Sequence, residues 1–459
     1  MTLRHFIVPA YLLLCILLGG ASAAGFLPNL VLQLLALPII VAALMTSRSN
    51  MSRAARALLW LTAAMIALAL IQLIPLPPGL WRGLPGRERV AEGFELLGQP
   101  VPWLPLSLRP ERALAGLLWL LPAFAVLLGI LRLGAYRAPY LAWALIAVTV
   151  AAVMVSAMQL TGGAQSPFYF YSVTNWGQGV GFFANSNHMA TLLLCVIPFL
   201  AALHAEALGN GAQSSSKSMR RSSGIIVIIA GVGMIILVGL AINQSLAGLG
   251  LAVPVIGASI LLVRYRRKAL PAWAPVIGTV LTIAAVAAIF VAPLGSGAFS
   301  ETARSSSESR GMSVAITGNA AVEHLPLGSG LGTFVDIYRT HEDHRAVEPP
   351  YMNHAHSDLA EIALETGVPG IILVLLLLAW WGRRAWTIWG AGQKRPDHFA
   401  RAATIAVAAI LAHSLVDYPL RTAAISVLFA ICLALMAEPR PVVRAAADRH
   451  EEGLRHLSA

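Results

Sequence analysis

The sequence predicts an all-α polytopic membrane protein with about 12 transmembrane helices. Three observations predict it. Of the 459 residues, 58% are hydrophobic and only 12% are charged, about half the charged share of a soluble domain, and the mean hydropathy is +0.74. Apolar windows recur along the whole length, each of roughly 20 residues, enough to cross a bilayer as a helix that satisfies its own backbone. The charges that remain are sorted between alternate loops.

The apolar windows place spans near 4–24, 27–46, 55–75, 113–131, 138–160, 180–203, 223–243, 245–263, 271–294, 367–382, 398–416 and 422–437. Counting from an N-terminus inside, with charges at span ends given to the nearer loop, one set of loops holds 22 Lys/Arg and 6 Asp/Glu. The other set holds 10 Lys/Arg and 15 Asp/Glu. Cytoplasmic loops carry the positive excess, so "RYRRK" at 264–268 is expected in the cytoplasm and the large loop 295–366 outside. The formal charge of +11 is thus a matter of membrane orientation, and no nucleic-acid partner is expected. Cys15, Cys195 and Cys432 all lie within spans, so no disulfide framework is implied. The chain divides into N-terminal helices with an outer loop at 76–112 (1–160), a core that includes the loop 295–366 (161–437) and a polar cytoplasmic tail (438–459).

Charged side chains are nearly absent within the spans. An ion-coupled transporter carries such residues near mid-membrane, where each costs at least ~2.5 kcal/mol and so marks function. No internal repeat is visible either. Both features argue against a permease. The polarity collects instead in the outer loops. The segment 76–112 is rich in Pro, Gly and Trp and is expected to lie along the membrane interface. "EPPYMNHAHSDLAEIALETG" (348–367) sets histidines and carboxylates directly before an apolar run. Asp358 with Glu361 reads as an N-cap and its N3 carboxylate, and Gly367 followed by Pro369 reads as a helix end, so a short helix is predicted to start just after His356. The free N–H groups at that start are suited to an anion such as phosphate, and a neutral imidazole beside them is what a general base requires. A histidine that only bonds a neighbouring carbonyl is the plainer alternative. His354, two residues back, falls on the same side of an extended strand and is expected to support rather than catalyse, with Asn353 beside it.

Arg310 offers a planar fork suited to a diphosphate. It precedes an amphipathic stretch that closes in the Gly-rich turn "HLPLGSGLGTF". Asn185, Asn187 and His188 open another span and form a candidate binding wall. "HEDH" (341–344) carries metal-ligand residue types at a spacing that matches no strong zinc pattern, and it reads as a solvated loop.

Four stretches, "GFFANSNHMA", "SRGMSVAITGNAAVEHLPLGSGLGTF", "HAHSDLAEIALETG" and "HSLVDYPLR", resemble the O-antigen ligase and O-antigen or exopolysaccharide polymerase superfamily. The resemblance implies a GT-C-like fold in the bacterial inner membrane with its active site facing the periplasm. It implies glycan transfer from undecaprenyl diphosphate to an acceptor hydroxyl, without a metal ion or other cofactor. His356 matches the histidine that activates the acceptor, and Arg310 the arginine that binds the diphosphate. Asn353, His354, Asp358, Asn185, Asn187, His188, Arg339 and Glu365 are expected to line the substrate. The implied partners are the lipid-linked donor, the glycan acceptor and membrane lipids, with room for a chain-length regulator and a flippase. One departure stands out: Leu246 follows Ser245 where the family carries arginine, and Arg304, Arg339 and Arg345 are candidates to supply the missing charge. A polymerase is the expected reaction, with a ligase to lipid A–core as the alternative.

Overall fold

The computed structural model describes residues 3–22, 26–46, 51–211, 216–291, 298–343, 352–390 and 396–438, with the backbone alone at 209–211, 216–222, 290–291 and 298–307. Helices dominate it. They run in order α1 (Ile7–Leu18), α2 (Phe26–Met45), α3 (Arg53–Ile71), α4 (Pro78–Arg82), α5 (Glu88–Leu96), α6 (Pro110–Trp119), α7 (Leu121–Leu131), α8 (Ala138–Thr161), α9 (Ser186–Gly211), α10 (Ser216–Asn243), α11 (Leu246–Arg264), α12 (Trp273–Val291), α13 (Ala298–Glu323), α14 (Phe334–His341), α15 (Asp358–Trp389), α16 (His398–His413) and α17 (Ala423–Ala437). Among the described residues, eight helices are long and apolar enough to cross a membrane. Four shorter apolar helices, Leu3–Leu18, Trp273–Ile289, His398–His413 and Ala423–Ala437, fall where the hydropathy places further spans. The protein is an all-α, multi-pass membrane protein.

Helix α9 is the hub. Its apolar window is 72% buried, against 17% for α3 and 22% for α10, so α9 meets other helices on nearly every side while α3 and α10 keep broad apolar faces outward. It packs on α16, α10 and α11. Small residues permit the close approach: Ala402, Ala403, Ala406 and Ala409 of α16 are buried, as are Ala190 of α9 and Ala247 of α11. Lipid tails are as apolar as leucine, so close packing of this kind, rather than a hydrophobic drive, holds such helices together. Arg401, fully buried in α16, donates to the carbonyls of Tyr265 and Lys268 and lies 4.7 Å from the Trp389 ring.

Outside the bundle sits a smaller polar layer. α13 and α14 pack on α15 through Ile316, Ala320, Phe334, Tyr338 and Leu364. The segment read as interfacial, 76–112, folds as a unit of its own. β1 (Pro75–Leu76) pairs antiparallel with β2 (Leu104–Pro105), and Trp81 is buried with its indole donating to Pro105 O at 2.9 Å. Arg87, almost fully buried, donates to Leu106 O at 2.7 Å and to Gly328 O at 3.0 Å. Burial pulls its guanidinium down to about 10, partly countered by Glu88. The unit is therefore tied to the Gly-rich turn that follows α13.

That turn seats a break in α15. Gly367 leaves the helical region at φ 59°, ψ −148°, a conformation essentially confined to glycine. The Gly-rich turn serves the carbonyls freed by the break: Ser329 N–H donates to Leu364 O at 2.9 Å, and Gly330 N–H to Glu365 O at 3.0 Å. The Gln72 amide adds a further donor to Glu365 O at 2.9 Å. A Cβ on Gly367 would lie 2.2 Å from Pro326 O. Gly367→Ala is expected to cost ~3 kcal/mol or more from backbone strain and clash together, read as a lower melting temperature of the detergent-purified protein. An unchanged melting temperature would contradict this account of the break.

Candidate functional site

The residues before the break form a short helix, as the spacing predicts, but its cap is different. Ser357, extended at φ −159°, is the N-cap, and its hydroxyl accepts from Ala360 N–H at 3.4 Å. Asp358 lies inside the first turn. Its own N–H is taken by carbonyls of the turn between α16 and α17, Ser414 O at 2.9 Å and Asp417 O at 3.3 Å. Ser414 also donates its hydroxyl to Asp358 Oδ2 at 2.8 Å. Glu361, one position past the N3 site of a capping box, reaches back beyond the cap, accepting from Ala355 N–H at 3.2 Å and meeting His354 Nδ1 at 2.9 Å.

His356 is the residue these bonds aim. Its backbone sits in the left-handed region at φ 51°, uncommon for a residue other than glycine and a pointer to a functional constraint. Its Nδ1 lies 3.4 Å from Asp417 Oδ1. Asp417 is fully buried. Burial alone raises its carboxyl, but the contact with His356 and the neighbouring imidazoles of His188 and His413 outweigh that and hold it well below the usual range. A carboxylate so placed favours a proton on Nδ1, leaving Nε2 bare to accept one.

Tyr418 fills the centre. Its ring centroid lies 4.4 Å from that of His354, 5.0 Å from His188 and 5.2 Å from His356. Burial first, and then the Asp417 charge, push its phenol far up, so it stays protonated. Its hydroxyl donates to Asn353 Oδ1 and accepts from Asn185 Nδ2, both at 3.4 Å. The start of α9 completes the wall. Asn185 Oδ1 accepts from Asn187 N–H at 2.8 Å, and Asn187 Oδ1 from the Ser245 hydroxyl at 2.7 Å, which fixes the starts of α9 and α11 together.

Arg310 lies on α13, 8% exposed. His413 is bonded through Nδ1 to Thr191 Oγ1 at 2.8 Å. Several buried polar atoms here make no hydrogen bond among the described residues: Nδ1 of His356, which faces Asp417 at 3.4 Å, both ring nitrogens of His188, Nε2 of His413 and Oδ2 of Asp417. Buried polar groups are ordinarily bonded, so their concentration beside His356 marks a place built to meet a ligand.

The structure thus gathers His356, His354, Asn353, Asn185 and His188 around Tyr418, with Asn187 behind them. Asp358 and Glu365 belong to a buried network with Arg421, whose nitrogens come within 3.4 Å of Asp358 Oδ1, 3.4 Å of Glu361 Oε1 and 3.2 Å of Glu365 Oε2. Arg339 is exposed on α14. Arg345, His344 and the side chain of Arg304 lie outside the described residues. His341 meets Glu323 at 2.9 Å, and among the described residues no cluster of His, Cys, Asp or Glu is arranged to hold a metal ion. Sequence reasoning gave no role to Asp417, Tyr418, His413 or Arg421, although it singled out the stretch "HSLVDYPLR" that carries them.

Residues 231–375 match the family model described as O-Antigen ligase. This segment of the chain is similar to that family. The matched segment runs from within α10 into α15 and contains Arg310, His354, His356 and Glu365. Asn185, His188, Asp417 and Arg421 come from outside it, so the site is completed by helices on both sides of the segment. Members of this family are glycosyltransferase-type enzymes, ligases and polymerases of glycans. No curated protein matches the chain.

Proposed function

We propose that the chain is a polysaccharide polymerase of the bacterial inner membrane. It transfers a glycan from undecaprenyl diphosphate to a hydroxyl of a lipid-linked repeat unit on the periplasmic face. The observation that carries the reading is the 3.4 Å pairing of His356, which lies in the segment matching the O-antigen ligase model, with the buried carboxylate of Asp417, which comes from beyond that segment. In the reaction, His356 Nε2 takes the proton of the acceptor hydroxyl as its oxygen attacks the anomeric carbon. The bond from that carbon to the diphosphate breaks, and undecaprenyl diphosphate leaves with the electron pair. Diphosphate is a good leaving group, so this step invokes no metal ion and no cofactor. Arg310 is the group offered to its charge. Asp417 steadies the imidazolium that forms.

The periplasmic assignment rests on the charge bias of the loops. His356, Asp417, Asn185 and Ser245 all fall at the loop ends that bias places outside. Sitting there brings the catalytic groups to the depth at which a lipid anchor holds its diphosphate. Polymerase is favoured over ligase by Leu246: α11 begins there, capped by Ser245, with no cation where the ligase-like clamp has arginine. In a strain lacking the gene, single lipid-linked repeat units are expected to accumulate and long polymer to vanish. Long polymer persisting on undecaprenyl diphosphate, with only its attachment to lipid A–core lost, would establish the ligase instead.

A further inference from the structure

We propose that Arg421 is the positioning residue of this site. Clamped by Asp358, Glu361 and Glu365, its guanidinium holds the His356 segment against the Asp417 turn. The inference rests on the reading of His356 as the base. The three carboxylates stand at positions i, i+3 and i+7 and so share one face of the short helix. Their side chains are 5%, 2% and 0% exposed. Like charges gathered on a buried helix face repel one another and are costly unless a cation meets them. Arg421 meets all three. Nε faces Asp358 Oδ1, Nη1 lies between Glu361 and Glu365, and Nη2 bonds Glu365 Oε2 at 3.2 Å. Burial lowers the guanidinium, but the three carboxylates outweigh it and raise it further, so the cation is permanent.

Both ends of this clamp touch the catalytic pair. On the helix side, Asp358 follows His356 by two residues, and Glu361 grips His354 and the Ala355 N–H. On the other side, Arg421 closes the short 3₁₀ turn Pro419–Arg421 directly after Asp417 and Tyr418. Joining the two halves fixes the His356–Asp417 distance. The same geometry argues that Arg421 does not replace the arginine missing at Leu246. All three of its nitrogens are engaged, and its charge is more than neutralised by its own carboxylates, which leaves it ill suited to grip a diphosphate. Lysine would keep the charge but reach only part of the set from a single nitrogen.

The test uses full-length protein in detergent, with lipid-linked repeat units extracted from the deletion strain as substrate. Arg421→Lys is expected to lower kcat by ~10²-fold, the order of effect that a misplacement of about 1 Å produces, with the donor KM unchanged. In an Asp417→Asn background the same change should add little, because residues acting as one unit are not additive. A raised donor KM with kcat retained would make Arg421 a donor contact and overturn the proposal. So would wild-type kcat, or losses that multiply in the double variant. Should Arg421→Lys fail to fold, Glu361→Gln, which removes one of the anionic partners that hold Arg421, must give a loss of kcat at unchanged KM or the proposal falls. His356→Ala run alongside tests the base itself, since full activity there sinks that reading whatever Arg421→Lys does.

Discussion

Replacing His356 by alanine is expected to lower transfer by ~10²–10⁴-fold, the usual contribution of a general base, with the protein inserted and folded at the wild-type level. The imidazole is 23% exposed and meets Asp417 and the edge of Tyr418, so its removal opens no large cavity. The backbone is the greater concern, because residue 356 stands at φ 51°, where alanine is strained by roughly 1–2 kcal/mol. His356→Asn is the better companion. Asparagine tolerates the left-handed region and keeps a polar side chain, yet it offers no basic nitrogen. Both variants should leave single repeat units on the lipid carrier and no long polymer, at normal protein level in the membrane. Polymer of wild-type length and amount from either variant would end the general-base mechanism.

Much of the architecture was legible because its physics is local. Apolar windows locate the helices through length and composition alone, and Gly367 with Pro369 gave away the end of the short helix. The function of that break was hidden. It depends on Gln72 and on Ser329 and Gly330, which reach carbonyls of α15 from distant parts of the chain. The fold of segment 76–112 was hidden for a related reason: Trp81 is buried against a two-residue ladder whose strands lie about thirty residues apart. In the site, His356 and Arg310 stood out through their neighbours in sequence. Asp417, Tyr418 and His413 did not, since nothing near them marks chemistry and their value lies in meeting α15 and α9 across the fold. Arg421 had left a trace. Three carboxylates on one face of a helix that leads into a membrane span demand a cation, and Arg421 is the arginine of the short turn between α16 and α17. The cap differed by one residue, Ser357 for Asp358, because the Asp358 carboxylate is drawn to Ser414 and Arg421.

Asp417→Asn should be nearly as damaging as loss of His356 itself, lowering kcat by ~10²–10³-fold while the donor KM stays put. Asparagine has almost the same shape. It can still accept the Tyr418 N–H that Asp417 Oδ1 receives at 2.9 Å, and it leaves the Asp417 carbonyl, which caps Asp358 at 3.3 Å, untouched. What it removes is the charge. In a buried site that charge acts through a low effective dielectric, and it opposes a positive charge on His356 only in the course of the reaction, when the ring has taken the acceptor proton. An interaction made in the transition state and not in the bound ground state appears in kcat rather than KM. If the amide turns, it gives up the Tyr418 bond and presents its NH₂ to Nδ1, which favours the wrong tautomer, with the proton on Nε2 where the acceptor hydroxyl must be received. Single-turnover transfer with extracted lipid-linked repeat units would measure the step directly. A wild-type single-turnover rate in Asp417→Asn would show that His356 needs no anionic partner. A loss confined to donor KM would move Asp417 from the base to the binding of substrate.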